Sequence, residues 1–328
     1  MNTAVSGNRS TSGTPISGGP TGVLLIDKPT GITSHDVVDV LRRVYGIRAI
    51  GHTGTLDPAA SGLMIMLLGR ATKIAPFVSG LDKCYQAGIL LGKTSDTGDA
   101  EGDLSDSGDP SGVTDELVLA ALKKLQGEIA LKIPPFAAVH TEGKRRYELA
   151  RSGKTPPPLA RNAQIESAEL VAFANPMLTI RVRCSAGTYI RSYAEAVGEA
   201  LGCGAYLASL HREEIGQWHI RDAVSLRGLT HANRGEDPLK RLLSLEEFLP
   251  WARVHVTEEA ILMIANGRSI APDMICQVDG AFVSGDSVLI CAPKLGAIAI
   301  TTAKCDSSSC SAGDASSDLF TYQRVLMS

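Results

Sequence analysis

The clearest local pattern in this chain is the stretch 178–185, LTIRVRCS, in which apolar and polar side chains alternate. A period of two puts the apolar side chains, from Leu178 to Cys184, on one face of a β-strand. The Ser-Ala-Gly turn that follows leads into residues 189–201, whose apolar spacing is typical of a helix. The sequence therefore predicts a half-buried strand joined by a tight turn to a helix.

Further strands and helices are predicted towards the N-terminus. Residues 23–26 form a short apolar run that ends at an Asp-Lys-Pro-Thr-Gly turn, and residues 85–91 alternate as a second strand. Ser34 is a candidate N-cap for a helix that ends at Gly46. A third helix is expected between Thr114 and Gly127. Because strands and helices are mixed without regular βαβ alternation, the expected fold class is α+β.

We expect three parts in the 328 residues. Residues 1–21 are rich in Ser, Thr, Gly and Pro and are predicted to be a disordered tail. Residues 22–253 are predicted to form one large domain. Residues 254–328 change to short strands, such as 281–283, broken by Gly and Asp, and are predicted to form a small β module with a Cys/Ser-rich insertion at 305–317.

The charge balance excludes a uniformly basic nucleic-acid coat protein, because 32 Lys and Arg stand against 35 Asp and Glu. The charges are unevenly distributed. Residues 94–116 carry eight acidic and no basic residues, whereas residues 140–161 carry six basic ones, including Lys144, Arg145 and Arg146. This basic run is either a solvated surface or a set of phosphate contacts for RNA.

Targeting and metal-binding patterns are missing from the sequence. No apolar run approaches the roughly 18 residues of a membrane span, and the N-terminus has no apolar core of a secretory signal. The seven cysteines show no CxxC pair or zinc spacing. We therefore expect a cytoplasmic protein with free thiols, no membrane association and no metal.

The octapeptide 51–58, GHTGTLDP, is the strongest candidate for chemistry. Its two glycines allow sharp turns, and Pro58 keeps Asp57 out of helical geometry, so the loop can hold one carboxylate at a fixed angle. Tyr189 and Arg191 follow the strand-to-helix turn, and an Arg within ~4–6 Å of an Asp favours its charged form. The alternatives are an ordinary Asp-Pro turn, a core Tyr and a surface Arg.

Several strings, in this order, resemble the motifs of the TruB family of tRNA pseudouridine synthases. They are GVLLIDKPTGITSH (22–35), GHTGTLDP (51–58) with SGL (61–63), KCY (83–85) with LGKTSDTGD (91–99), and CSAGTYIR (184–191) with LGCGA (201–205). The resemblance extends over about residues 22–220. The C-terminal module is similar, more weakly, to a PUA RNA-binding domain.

The resemblance implies a pseudouridine-synthase catalytic domain with a mixed, mainly antiparallel sheet flanked by helices. The implied activity is isomerisation of one uridine in the TΨC loop of tRNA, position 55 of tRNA, by base flipping and without a cofactor. Asp57 matches the family's catalytic aspartate. Whether this carboxylate attacks the sugar, attacks the base or abstracts a proton stays open.

The resemblance also implies roles for other residues. The matching positions are Tyr85, which would stack on the target uracil, Tyr189, Arg191 as the partner of Asp57, Leu210 as an apolar wall, His52 filling the gap left by the flipped base, and Lys28 as a supporting residue near the active site.

The chain departs from the family's pattern at three positions near these motifs. Ala137 and His140 stand where the family commonly has Ser and Lys, and His211 stands where it often has Arg. Because His is mostly neutral near pH 7, we expect weaker RNA affinity from these changes.

Two other functions remain open from the residues. A non-catalytic tRNA-binding or folding factor would use the basic run and the C-terminal module and would tolerate Asp57→Asn. An aspartyl hydrolase of a small molecule would turn over without RNA. Under the isomerase hypothesis, we expect tRNA as the partner, no obligate protein partner and a monomer.

Overall fold

The computed structural model describes residues 19–137, 139–141, 144–146, 157–231, 238–310 and 318–327. Its elements follow no regular βαβ alternation, so the predicted α+β class is confirmed. The strands are β1 (Gly22–Lys28), β2 (Ile50–His52), β3 (Ser61–Leu68), β4 (Lys83–Leu91), β5 (Lys93–Ser95), β6 (Leu104–Asp106), β7 (Gly127–Lys132), β8 (His140–Thr141), β9 (Lys144–Arg145), β10 (Ala160–Ala174), β11 (Met177–Cys184), β12 (Ala205–Ile215), β13 (Trp218–His219), β14 (Val224–Ser225), β15 (Ala252–Val256), β16 (Ile275–Asp279), β17 (Ser287–Ala292), β18 (Gly296–Ala303) and β19 (Phe320–Val325). The helices are α1 (Ser34–Tyr45), α2 (Ala75–Ser79), α3 (Asp115–Lys124), α4 (Ile190–Leu201), α5 (Leu226–His231), α6 (Leu245–Phe248) and α7 (Glu258–Ala265).

One large sheet carries the N-terminal part of the chain. Its strand order is β14-β1-β3-β12-β4-β11-β10-β7, with β2 beside β3 and β13 beside β12. The pairs β1–β14 and β3–β12 are parallel, and the other pairs along the sheet are antiparallel. The strand read from LTIRVRCS is β11, between β4 and β10, and α4 follows it after the expected turn.

Strands β1 and β3 are buried on both faces, which explains why they read as continuous apolar runs. Leu24 and Met64 face a core that α1 and α4 cover, while Val23 and Leu63 face a second core on the opposite side of the sheet. A strand inside the sheet that is covered twice cannot carry polar residues on alternate positions. The VLLI and LMIMLL runs are therefore a consequence of their central position.

The C-terminal module supplies the cover for the second face. Its sheet has the order β16-β15-β17-β18-β19, and Leu289 and Ile300 from this sheet pack in the same core as Val23 and Leu63 of the large sheet. The Trp218 and Phe248 rings stack 4.9 Å apart at this junction. Because one apolar core joins the two sheets, the module supports the strands that lead to the loop carrying Asp57.

Two local predictions need correction. The N-cap of α1 is Thr33, which forms a capping box with Asp36, and Ser34 is the first helical residue. The predicted strand at 281–283 is irregular and leads into a turn at 284–285, and the N–H of Val283 donates to the carboxylate of Asp286 instead of a strand neighbour. In both places a short polar side chain satisfies the backbone locally and changes the expected boundary.

The shared core predicts that the module stabilises the large sheet. Leu289→Ala removes a fully buried side chain from the junction, and we expect the free energy of unfolding in urea to fall by about 2–5 kcal/mol. Leu262→Ala, at a position with 73% exposure on α7, is the matched control and should change it by less than ~0.5 kcal/mol. Equal effects of the two changes would contradict the shared core.

Candidate active site

The loop that carries Asp57 connects β2 to β3 and is held by the first segment of the chain. The Ser34 hydroxyl donates to the carbonyl of Leu56 and accepts from its N–H, both at 2.9 Å. The N–H of Gly31 donates to the carbonyl of Pro58 at 2.8 Å. These bonds fix the backbone on both sides of Asp57, so the carboxylate projects from a rigid position.

Lys28 supports the same loop from beneath. Its fully buried ammonium donates to the carbonyls of Pro29 at 2.9 Å and Ala60 at 2.7 Å, with a longer contact to Pro58 at 3.4 Å. Burial lowers the pKa of Lys28, and the charge of Asp57 opposes that shift. The residue implied as a support thus lies where it can fix the loop and carry a compensating charge.

Arg191 binds the Asp57 carboxylate directly. Its Nε lies 3.2 Å from Oδ2 of Asp57, and its Nη1 lies 3.5 Å from Oδ2 of Asp99. The remaining N–H groups donate to the carbonyls of Thr97 at 3.0 Å and Phe136 at 3.1 Å. The guanidinium is 7% exposed and Asp57 is 44% exposed, so a buried cation orients a carboxylate that substrate can reach.

Asp99 is the second carboxylate on this guanidinium and was not singled out from the sequence. Its Oδ1 accepts from the Thr97 hydroxyl at 2.6 Å and from the N–H of Glu101 at 3.1 Å. The side chain is only 10% exposed. In the sequence, Asp99 belongs to an acidic stretch that is typical of an exposed surface. Its place in the site follows only from its contact with Arg191, which is remote in sequence.

A cavity of about 300 Å³, the Tyr85 cavity, brings most of the implied site residues together. Its lining includes Asp57, Tyr85, Tyr189, Arg191, Leu210, Lys83 and Arg212. Burial raises the pKa of Tyr85, and the charge of Arg212 opposes the shift. Burial also raises the pKa of Tyr189, so both phenols are neutral near pH 7 and offer an uncharged ring and hydroxyl.

His52 lies in a different cavity on the other side of Asp57. This His52 cavity, of about 690 Å³, is also lined by Thr33, Phe136 and Arg191. Burial and the charge of Arg212 lower the pKa of His52, so the ring is neutral at pH 7, and its Nδ1 has no hydrogen-bond partner among the residues that the structure describes. Asp57 and Arg191 stand at the boundary between the two cavities.

Arg146, from the predicted phosphate-binding run, is buried. Its guanidinium donates to the carbonyls of Ile133 at 3.3 Å, Pro134 at 3.3 Å and Pro157 at 2.8 Å. The sequence left this run as either a solvated surface or a set of phosphate contacts, and Arg146 fits neither here, because it is buried and three backbone acceptors already occupy its guanidinium. The side chains of Lys144 and Arg145 lie outside the described part of the chain, so their expected role remains a prediction.

Two of the departures from the family's pattern have clear positions. Ala137 is buried in the lining of the Tyr85 cavity. His211 lies between Leu210 and Arg212 on β12, so it points to the opposite face of the strand, where Nδ1 is 2.9 Å from the Ser61 hydroxyl. The exchange at His211 therefore leaves the cavity wall unchanged. The side chain of His140 lies outside the described residues.

Sequence reasoning missed Lys83 and Arg212 as cavity residues. Lys83 donates to the carbonyls of Ser79 at 2.7 Å and Leu81 at 2.5 Å, and burial lowers its pKa to about 8. Arg212 is two residues after Leu210 on the same face of β12. This spacing could have predicted that Arg212 lines the same cavity as Leu210. Among the described residues, no group of three or more His, Cys, Asp or Glu side chains is arranged to hold a metal.

Comparison with known proteins identifies both parts of the chain. Residues 42–190 match the TruB family pseudouridylate synthase N-terminal domain, and residues 252–312 match the PUA domain. The tRNA pseudouridine synthase B of Syntrophotalea carbinolica is 36% identical over 282 residues, covering 86% of this chain and 91% of the relative. That of Burkholderia pseudomallei is 45% identical over 215 residues, covering 66% and 71%.

Solved structures support the fold. A chain from an H/ACA RNP bound to a substrate RNA containing 2′-deoxyuridine superposes with a TM-score of 0.68 at 23% identity, covering 94% of this chain and 85% of that one. A chain from a Cbf5-Nop10-Gar1 complex gives 0.67 at 25% identity, covering 93% and 85%. In the ranges that the structure describes, no helix has the length and apolar character to cross a membrane. The chain belongs to the TruB family and is a pseudouridine synthase with a C-terminal PUA domain.

Proposed function

We propose that this pseudouridine synthase isomerises one uridine in the TΨC loop of tRNA, position 55 of tRNA, with Asp57 as the nucleophile and without a cofactor. The observation that carries the proposal is the contact between Asp57 and the buried Arg191 at the edge of the Tyr85 cavity. The tRNA substrate is supported by the relatives, which are named tRNA pseudouridine synthase B, and by the PUA domain.

The geometry around Asp57 suits a carboxylate nucleophile. Catalysis gains most from a reacting group that is held in place before the substrate arrives. The loop bonds from Ser34 and Lys28 and the ion pair with Arg191 hold the backbone and the carboxylate of Asp57. Asp57 nevertheless remains half-exposed, so a flipped nucleotide can reach its free oxygen.

The two cavities suit base flipping. Extruding a base costs a few kcal/mol, and one stacking aromatic returns about 1–3 kcal/mol. Tyr85 and Tyr189 line the cavity beside Asp57, while the neutral ring of His52 lies in the other cavity. A uracil bound between the phenols and the His52 ring placed in the vacated stack would together offset the cost of extrusion.

In this proposal, the enzyme acts as a monomer on free tRNA in the cytoplasm. The complete set of proposed site residues, Lys28, His52, Asp57, Tyr85, Tyr189, Arg191 and Leu210, comes from a single chain. Lys28 holds the loop, Arg191 holds the carboxylate, and Leu210 closes the apolar side of the cavity. No residue from a second copy is needed to complete this arrangement.

Asp57→Asn tests the nucleophile. The amide keeps the size of the side chain but lacks the nucleophilic oxygen, so we expect pseudouridine formation to fall by about 10⁴-fold or more. Pseudouridine is mapped on an unmodified tRNA transcript under single-turnover conditions, and tRNA binding is measured in parallel. The exposed Asp82→Asn is the matched control and should retain full activity. Equal product yields from wild type and Asp57→Asn would make the assignment wrong.

Substitutions of two arginines test which part of the basic run contacts RNA. Arg161 is exposed and lies against Gly187 at the rim of the Tyr85 cavity, whereas Arg146 is buried on three carbonyls. We expect Arg161→Gln to reduce the slope of log K against log salt for tRNA binding by about 0.7–0.9, the loss of one phosphate contact. Arg146→Gln should leave the slope unchanged.

The opposite result for this pair would refute the assignment. If Arg146→Gln flattened the salt dependence and Arg161→Gln did not, Arg146 would leave its carbonyls and bind phosphate in the complex. Thermal denaturation of both variants separates this outcome from misfolding, because only the buried residue is expected to lower the Tm.

A further inference from the structure

Arg212 is a buried cation in the Tyr85 cavity to which the proposed function gives no role. Its side chain is 1% exposed, and Nε donates to the carbonyl of Leu63 at 2.7 Å while Nη2 donates to that of Gly54 at 3.1 Å. Arg212 also forms a side-chain hydrogen bond with the phenol of Tyr85. Within the described ranges, no carboxylate lies within 4 Å of this guanidinium, unlike that of Arg191.

A buried charge without a counter-charge is costly to the folded protein. Replacing Arg212 by an apolar residue would relieve that cost, so its position points to an anion that enters the cavity. The lining carries three cations, Lys83, Arg191 and Arg212, against one carboxylate, Asp57. Asp57 is paired with Arg191, so the positive charge of the lining that has no carboxylate partner is that of Arg212 and Lys83.

The position of Arg212 relative to Tyr85 identifies the group it faces. The two residues are direct partners in the β4–β12 ladder, and both line the cavity. The guanidinium charge acts on the phenol of Tyr85, and it also lowers the pKa values of Lys28, His52 and Lys83. A base stacked on Tyr85 therefore lies next to the positive charge of Arg212.

We propose that Arg212 is a catalytic residue that stabilises the negative charge on uracil when the glycosidic bond breaks. This inference rests on the uridine isomerisation described above. The Asp57 carboxylate bonds to C1′ as the N1–C1′ bond breaks, and the electron pair left on N1 spreads to the two carbonyl oxygens of the base. After the base turns, C5 bonds to C1′ while the bond between C1′ and Asp57 breaks and frees the carboxylate. The C5 proton is then lost and N1 gains a proton. Arg212 contributes charge to this sequence and exchanges no atoms.

The hydrogen bonds of Arg212 to backbone carbonyls also fix the orientation of its guanidinium. Leu63 belongs to β3 and Gly54 to the loop that carries Asp57, so the guanidinium is fixed to the element that carries the nucleophile. Preorganised charge directed at a site where charge develops is worth about 10²–10³ in rate per donor. Arg212 would then act on the base and Asp57 on the ribose.

The test compares Arg212→Met on two tRNA transcripts that differ only at the target, uridine or 5-fluorouridine. Fluorine withdraws electrons and stabilises the base anion, so the cationic side chain matters less for the fluorinated base. We expect Arg212→Met to slow single-turnover consumption of the target nucleoside by about 10²-fold or more for uridine. For 5-fluorouridine the loss should be at least several-fold smaller.

His211→Gln is the matched control, because the neighbouring side chain points to the other strand face and should leave both rates unchanged. Arg212→Lys keeps a cation but loses the fixed fork, so it should slow uridine conversion less than Arg212→Met does, with the same preference for the fluorinated target. It also serves if Arg212→Met fails to fold, as judged by thermal denaturation.

Equal slowing on both transcripts would overturn the proposal and leave Arg212 as a support of the loop only. A reduced salt slope of tRNA binding with unchanged single-turnover rates would also overturn it, in favour of a phosphate contact. Failure of wild type to convert the TΨC uridine would refute the proposed substrate instead, and the same comparison would then be made on the uridine that wild type does convert.

Discussion

The Arg191 guanidinium joins the elements of the site that are far apart in sequence. It binds Asp57 on the β2–β3 loop, Asp99 and the Thr97 carbonyl on the turn after β5, and the Phe136 carbonyl after β7. A guanidinium is a rigid planar fork, so meeting these acceptors together fixes their relative positions. A lysine ammonium could not span the same set. The direction of the Asp57 carboxylate therefore depends on three chain segments meeting at one side chain.

The sheet makes this meeting possible because its central strands are anchored on both faces. The core shared with the C-terminal module covers the face of β3 that α1 and α4 do not. The loop with Asp57 leads directly into β3, and Lys28 at the end of β1 bonds to that loop. The PUA domain thus has a structural role beneath the active site in addition to the RNA contacts implied by its family.

Local patterns in the sequence predicted the α+β class, the strand at LTIRVRCS, and the helix that presents Arg191, because these depend on neighbouring residues. The buried position of Arg146 could not be predicted this way. A run of basic residues has the same composition whether its side chains are solvated or, like Arg146, buried against backbone carbonyls. Only the contacts of Arg146 with Pro134 and Pro157 distinguish the two cases. The N-cap of α1 was also mispredicted because of a contact that is not local. The Ser34 hydroxyl bonds to Leu56, 22 residues away, and Thr33 is the N-cap.

The distribution of charge across the site has a chemical consequence. Arg191 is paired with Asp57 and Asp99, so this cluster carries no uncompensated positive charge. Arg212 and Lys83 also line the Tyr85 cavity, and in the described chain their hydrogen-bond partners are backbone carbonyls and, for Arg212, the phenol of Tyr85. None of these partners carries a formal negative charge. Breaking a glycosidic bond moves negative charge from the sugar to the base. A cavity whose lining includes Arg212 and Lys83, neither with a carboxylate partner among the described residues, favours that separation, because positive charge is in place before the base becomes an anion.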